Sequence, residues 1–341
     1  MTTSERMKQL YKRLEAFGIP RSYAREVALP VGWHDSDTVN PAVYSQALGL
    51  LARNLNISLR TLQNEAVPLE WQDCGVTRFK RNQSLSDAEL TTAKCLAVRA
   101  AQIVCEALQT PPAEIPGSGA TIREVIRNKG NNFVGFENLL DYCWDCGIPV
   151  MHVSNFPKGA HRPDALTGIF KGRPAIVITK QHKYPAWLLF ILAHELGHIA
   201  KRHVQAHGVL IDEKVDQTDS EDIEAEANTF AVELLTGQSE KRYSAPKNLT
   251  AKELILMAQT ASQRDGVDPG FVAMNYADSK RLEAHNGRGH YAVGNGALSV
   301  IEPNTDPVAA IHALMCERLD WEEIGRDSRH FLRRIAKMTV S

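Results

Sequence analysis

Ala193-His194-Glu195-Leu196-Gly197-His198-Ile199 is the stretch on which the fold turns. It closes a run in which Trp187, Leu188, Leu189, Phe190, Ile191 and Leu192 follow one another without a polar break. A helix that is apolar nearly all round is a helix buried in a core. Pro185 suits the first helical position, so the pattern predicts a buried helix from about Tyr184-Pro185 through the two histidines. On it His194 and His198 are four residues apart and project from one face. Two imidazoles so placed can share one tetrahedral zinc ion. Glu195 follows the first histidine directly, so its carboxylate can reach water at the metal without being a ligand. Two histidines and a glutamate are costly in apolar surroundings unless something satisfies them, and a metal ion would do so.

Such a site needs a third ligand. The later segment Ile223-Glu224-Ala225-Glu226-Ala227-Asn228-Thr229-Phe230-Ala231 belongs to a helix expected from about Ser220 to Leu235. Glu224, Ala227, Asn228 and Ala231 share one of its faces. The alanines let this helix approach the motif helix closely, and Glu224 is then placed to complete the metal site. Asn228, one turn on, is placed to orient a ligand imidazole through its second nitrogen. Glu226 points elsewhere and is expected in solvent, while Glu221 and Asp222 suit a helix N-terminus. His203 lies five residues after His198, the wrong spacing for a third histidine ligand of the metzincin kind. It either stands beside the ligands or is exposed. His203, His207 and Tyr184 are candidates, by proximity only, for stabilising an oxyanion.

Upstream of the motif, strands are expected at Pro149 to Val153, Ala165 to Phe170 and Pro174 to Thr179, with Lys171-Gly172-Arg173 as a hairpin connection. Helices are expected at 4–29 with a break at Gly18, at Ala42 to Leu55, from Ile57, at 85–109, at Thr121 to Asn128 and at Phe136 to Cys146. The acid-rich stretch 204–222 and the glycine-bearing Asn286 to Gly296 are expected as loops. Ala251 to Arg264 and Asp320 to Lys337 are expected as helices, the last docking its apolar stripe onto the body. This pattern predicts an α+β fold, mainly helical, with a small sheet packed on the motif helix. The expected organisation is an N-terminal helical region at 1–80, a metallopeptidase domain at 81–240 and a C-terminal helical region at 241–341.

The chain has 341 residues and a formal net charge of -1, so no global field draws it to nucleic acid or anionic membranes. It begins without an apolar leader segment, and its longest apolar run is too short to span a bilayer. A cytoplasmic protein is expected. Its six cysteines do not suggest a disulfide framework in a chain of this length. Cys143-Trp144-Asp145-Cys146 matches a redox spacing but falls at the end of a helix, where buried structural thiols are the simpler expectation.

The run Ala193 to Ile199, followed by Glu224-Ala225-Glu226-Ala227-Asn228 and Thr229 to Leu235, resembles the ImmA/IrrE family of bacterial metallopeptidases, best between about Phe133 and Gly237. The resemblance implies a zinc endopeptidase with His194, His198 and Glu224 as ligands and Glu195 as catalytic base. It also implies a protein substrate, a repressor-like regulator in a stress or mobile-element response. Many members carry an N-terminal helix-turn-helix of the Cro/CI type, and residues 20–65 share that helix, turn, helix order. DNA is therefore a second candidate partner. The alternatives are a DNA-binding regulator that uses the metal site as a sensor and an antitoxin-like interaction protein.

Overall fold

The segment Pro185–Ala200 forms the expected helix, and the elements that position the site are built around it. The structure is a computed structural model that describes residues 3–72, 86–204, 208–211, 218–283 and 290–338. His207 and Cys74, parts of the acid-rich stretch (212–217) and residues 286–289 of the expected glycine loop lie outside the described residues. Among those described, the chain is mainly helical with one small mixed sheet.

The N-terminal region holds α1 (Thr3–Ala16), α2 (Arg21–Tyr23) running into a π-helical turn at Ala24–Ala28, α3 (Pro41–Leu55) and the five-residue α4 (Leu59–Gln63). Asn56 ends α3 in the left-handed region, and Arg13 of α1 donates to the carbonyls of Thr61, Leu62, Asn64 and Val67. The second helix of the helix-turn-helix order is thus short and tied to α1. Next come α5 (Ser86–Ala107), α6 (Gly119–Asn128) and α7 (Phe136–Asp145). Cys143 is buried and Cys146 partly so; both are free thiols, as expected, and burial raises the pKa of each.

The sheet is ordered β1-β3-β2-β4, from β1 (Val150–His152), β2 (Ala165–Phe170), β3 (Arg173–Ile178) and β4 (Val209–Ile211). β1 runs parallel to β3, and the other two pairings are antiparallel. Lys171 and Gly172 join β2 to β3, both at positive φ (55° and 77°), which matches the right-handed twist of a two-residue hairpin. β4 was not expected: it is three residues long and interrupts the acid-rich stretch assigned to a loop.

α8 (Pro185–Ala200) and α5 both pack against β2 and β3, so those strands are buried at nearly every position rather than alternately. α9 (Thr218–Thr236) lies against α8. The contact is intimate at Gly197, where a Cβ would stand 3.1 Å from the Ala227 carbonyl oxygen and 3.0 Å from the Phe230 ring. On its other side α9 is held by α6, whose Gly119 N–H donates to Glu233 at 2.9 Å.

The remaining helices are α10 (Ala251–Asp265), α11 (Pro269–Glu283), α12 (Tyr291–Ile301), α13 (Pro307–Arg318) and α14 (Arg326–Ala336). α12 occupies part of the stretch expected as a glycine loop. Glu302, just past its end, accepts the Ala186 backbone N–H at 3.1 Å and so caps the start of α8 from a distant part of the chain. α14 docks as expected, burying Phe331, Leu332 and Ile335. α8 itself is not buried all round. Leu188, Leu189, Leu192 and Leu196 are, whereas Trp187, Phe190 and Ile191 keep partial exposure along one stripe.

Candidate metal centre

α8 supplies two imidazoles and α9 one carboxylate. His194 Nε2 and His198 Nε2 are 3.0 Å apart. Glu224 places Oε2 3.1 Å from the first and Oε1 3.5 Å from the second. Both histidines are buried, while the Glu224 side chain is 32% exposed, so the group opens to solvent on the α9 side. A tetrahedral zinc ion with bonds of ~2.1 Å sets its donor atoms roughly 3.4 Å apart. The two Nε2 atoms are 3.0 Å apart and each has a different Glu224 oxygen near it, at 3.1 and 3.5 Å, separations close to that spacing. His194, His198 and Glu224 therefore form a group that can hold a metal ion.

Their neighbours fix which nitrogen faces the centre. Asn228 Oδ1 lies 3.1 Å from His194 Nδ1. A carbonyl oxygen only accepts, so Nδ1 carries the proton and Nε2 the lone pair. On the other ligand, His203 Nδ1 is 3.0 Å from His198 Nδ1, and His203 Nε2 is 2.8 Å from Glu226 Oε2. The carboxylate accepts from His203 Nε2–H, which leaves His203 Nδ1 as acceptor. His198 must then donate from Nδ1, and its Nε2 lone pair faces Glu224. Burial foremost, then His194 and His203, push the His198 pKa down to about 3, so this imidazole stays neutral, as a ligand must.

His203 reaches this position through the way α8 ends. Arg202 turns to φ 60°, and the His203 N–H then bonds the His198 carbonyl at 3.0 Å while the Arg202 N–H bonds that of Ile199. This is a Schellman ending. It folds His203 back under His198, with its side chain 7% exposed, so of the two sequence alternatives the placement beside the ligands is the one observed. Glu226 is correctly expected in solvent, at 62% side-chain exposure, but it is also engaged with His203, which sequence reasoning missed. Glu195, the residue after His194 on α8, is buried. Tyr184 is corrected: it stands ten residues before His194, about 15 Å along the helix axis, at the opposite end of α8.

A buried helix with a His-Glu-x-x-His pair, a carboxylate from the next helix and a small sheet alongside define a metallopeptidase domain. Residues 146–275 match the family model described as the IrrE N-terminal-like domain, a peptidase family. That segment, less than half of the chain, is similar to the ImmA/IrrE family of metallopeptidases. No curated protein and no solved structure matches the chain. Among the described residues, no helix is long and apolar enough to cross a membrane.

Proposed function

We propose that this protein is a zinc endopeptidase that cuts a protein substrate, a repressor-like regulator of a stress or mobile-element response. The observation that carries the hydrolase reading is the convergence of His194 Nε2, His198 Nε2 and the Glu224 carboxylate, with Glu195 buried at the next position on α8. The repressor-like substrate rests on the family resemblance.

Zinc bound by His194, His198 and Glu224 would supply Lewis acidity toward the scissile carbonyl and toward water. Glu195 takes the proton from the attacking water and returns it to the leaving amine. Asn228 and the His203–Glu226 pair hold the two imidazoles in the tautomer that keeps both Nε2 atoms turned inward. β2 is an interior strand, with neighbours on both sides, and β4 lies beyond it. Among the described residues Val209–Ile211 has no strand on its outer side, and an extended substrate could pair there.

The test is elemental mass spectrometry of purified protein combined with turnover of a repressor-like substrate. Equimolar zinc in the wild type, retained in Glu195→Gln together with loss of cleavage, is the expected result. Wild-type cleavage by Glu195→Gln, or a wild type that takes up no metal on reconstitution, would refute the reading.

A further inference from the structure

The partly exposed stripe of α8 continues the face that carries the histidines. Trp187, Phe190 and Ile191 lie one and two turns before His194. They form one wall of a cavity of about 870 Å³, closed on the far side by Val232 of α9 and by Phe271 and Met274 of α11. Asn228 also lines it, so the residue that holds the His194 imidazole borders both the cavity and the metal centre. The Phe190 and His194 rings are 6.4 Å apart. The volume falls in the range of small-molecule sites.

The chemistry of the walls selects the occupant. Trp187 donates its Nε1–H to Asn295 Oδ1 at 3.2 Å, and its ring leans on Tyr291 at 5.5 Å. Its polar edge is thereby satisfied and its orientation set, leaving an apolar face toward the cavity. Phe190 and Phe271 stack at 6.3 Å. On the rim, Lys180 is paired with Asp164 at 2.9 Å and Lys241 with Asp265 at 3.5 Å, so these cations are already engaged. Six large apolar side chains line one part of the opening and suit an apolar guest there, while Glu240, Arg242 and Asp278 add charge to the rest of the lining.

We propose that this cavity is the specificity pocket of the peptidase, taking a bulky apolar or aromatic side chain beside the scissile bond; the proposal rests on the peptidase reading. A folded protein buries such side chains. The substrate must therefore present an extended, locally opened segment carrying one.

Two zinc-chelating probes test this by calorimetry on the zinc-loaded full chain: acetohydroxamate and 3-phenylpropanohydroxamate. Both anchor on zinc, and only the second carries a ring that the cavity would take. The phenyl compound is expected to bind at least about tenfold tighter. Val232→Phe, which narrows the cavity, should remove that gain and leave acetohydroxamate affinity unchanged. Equal affinity of the two probes for wild type would overturn the pocket while sparing the peptidase reading. A gain that survives Val232→Phe and Met274→Phe alike would also overturn it. Failure of acetohydroxamate to bind a chain that takes up no zinc would overturn the peptidase reading, and the pocket's place in cleavage with it.

Discussion

Replacing Gly197 by alanine tests how tightly the metal centre depends on the α8–α9 contact. Two effects of opposite sign compete. In the middle of a helix, alanine is favoured over glycine by about 1 kcal/mol. Against this, the new methyl would meet the Ala227 carbonyl oxygen at 3.1 Å, its Cα at 3.2 Å and the Phe230 ring at 3.0 Å. Two of those three atoms are backbone, which cannot step aside without moving α9. Relief therefore means a shift of the helix by a few tenths of an ångström, and overpacking of this kind costs roughly 1–3 kcal/mol. The net expectation is a loss of about 0–2 kcal/mol in unfolding free energy. The metal should report the shift more sharply. Glu224 lies one turn before Ala227 on the same helix, so its carboxylate is carried away from both Nε2 atoms. Zinc affinity is expected to fall about tenfold or more, the scale at which ligand orientation matters. Chemical denaturation of the zinc-free chain and a chelator-competition titration measure the two effects separately. A variant about 1 kcal/mol more stable than wild type, with unchanged zinc affinity, would falsify the claim that the two backbones are in contact at Gly197.

Other substitutions probe the groups around the ligands. Glu226→Ala removes the acceptor that orients His203 and, through it, His198; because the carboxylate is largely exposed, zinc affinity should drop toward the lower end of a 10–100-fold range, about tenfold. Unchanged affinity by competition titration would mean that water replaces it fully. Asn228→Ala should weaken zinc binding less than Glu224→Ala, since the first removes an orienting acceptor and the second a ligand; equal or reversed losses would contradict the ligand assignment. Glu302 makes stability pH-dependent. Burial foremost, then the nearby Asp268 charge, raise its pKa from 4.5 to about 8. The folded chain thus holds a proton that the unfolded chain releases, so the stabilising contribution is complete below about pH 4.5 and is lost as pH rises through about 8. Thermal melts should show Tm falling across that window and Glu302→Gln flattening the slope; an equally steep variant would exclude Glu302 as the source.

The centre of the site was legible in the sequence because its signals are local and periodic. The i, i+4 spacing put both histidines on one face, and the small residues Ala227 and Ala231 marked the face on which Glu224 and Asn228 approach. What escaped detection or stayed open depends on tertiary contact. His203 turns inward because Arg202 adopts a left-handed conformation, and an arginine gives no hint of it where a glycine would have. β4 is too short for an alternating pattern to register, so this strand was hidden in a polar stretch. The glycines at 294 and 296 suggested a loop, yet they sit in α12. A Cβ at Gly294 would lie 3.0 Å from the Ala277 Cβ, and one at Gly296 3.2 Å from that of Ala251, so both serve close helix packing. The unbroken apolar run of α8 could not show which residues would line a cleft, because that depends on where α9 and α11 stop covering it.

The capping of α8 by Glu302 bears on how the catalytic unit can be handled as a piece of protein. The range that matches the family model ends at 275, inside α11, and so excludes the carboxyl group that binds the first free N–H of the helix carrying the histidines. Arg123, ahead of that range, likewise donates to the carbonyls of Leu235, Asp265 and Gly266, where α9 and α10 end. A fragment trimmed to the recognisable segment would keep every ligand and lose the groups that terminate three of its helices. Transplanting this chemistry into another scaffold would mean carrying those distant residues along, because the part recognisable by descent is smaller than the part that must fold together.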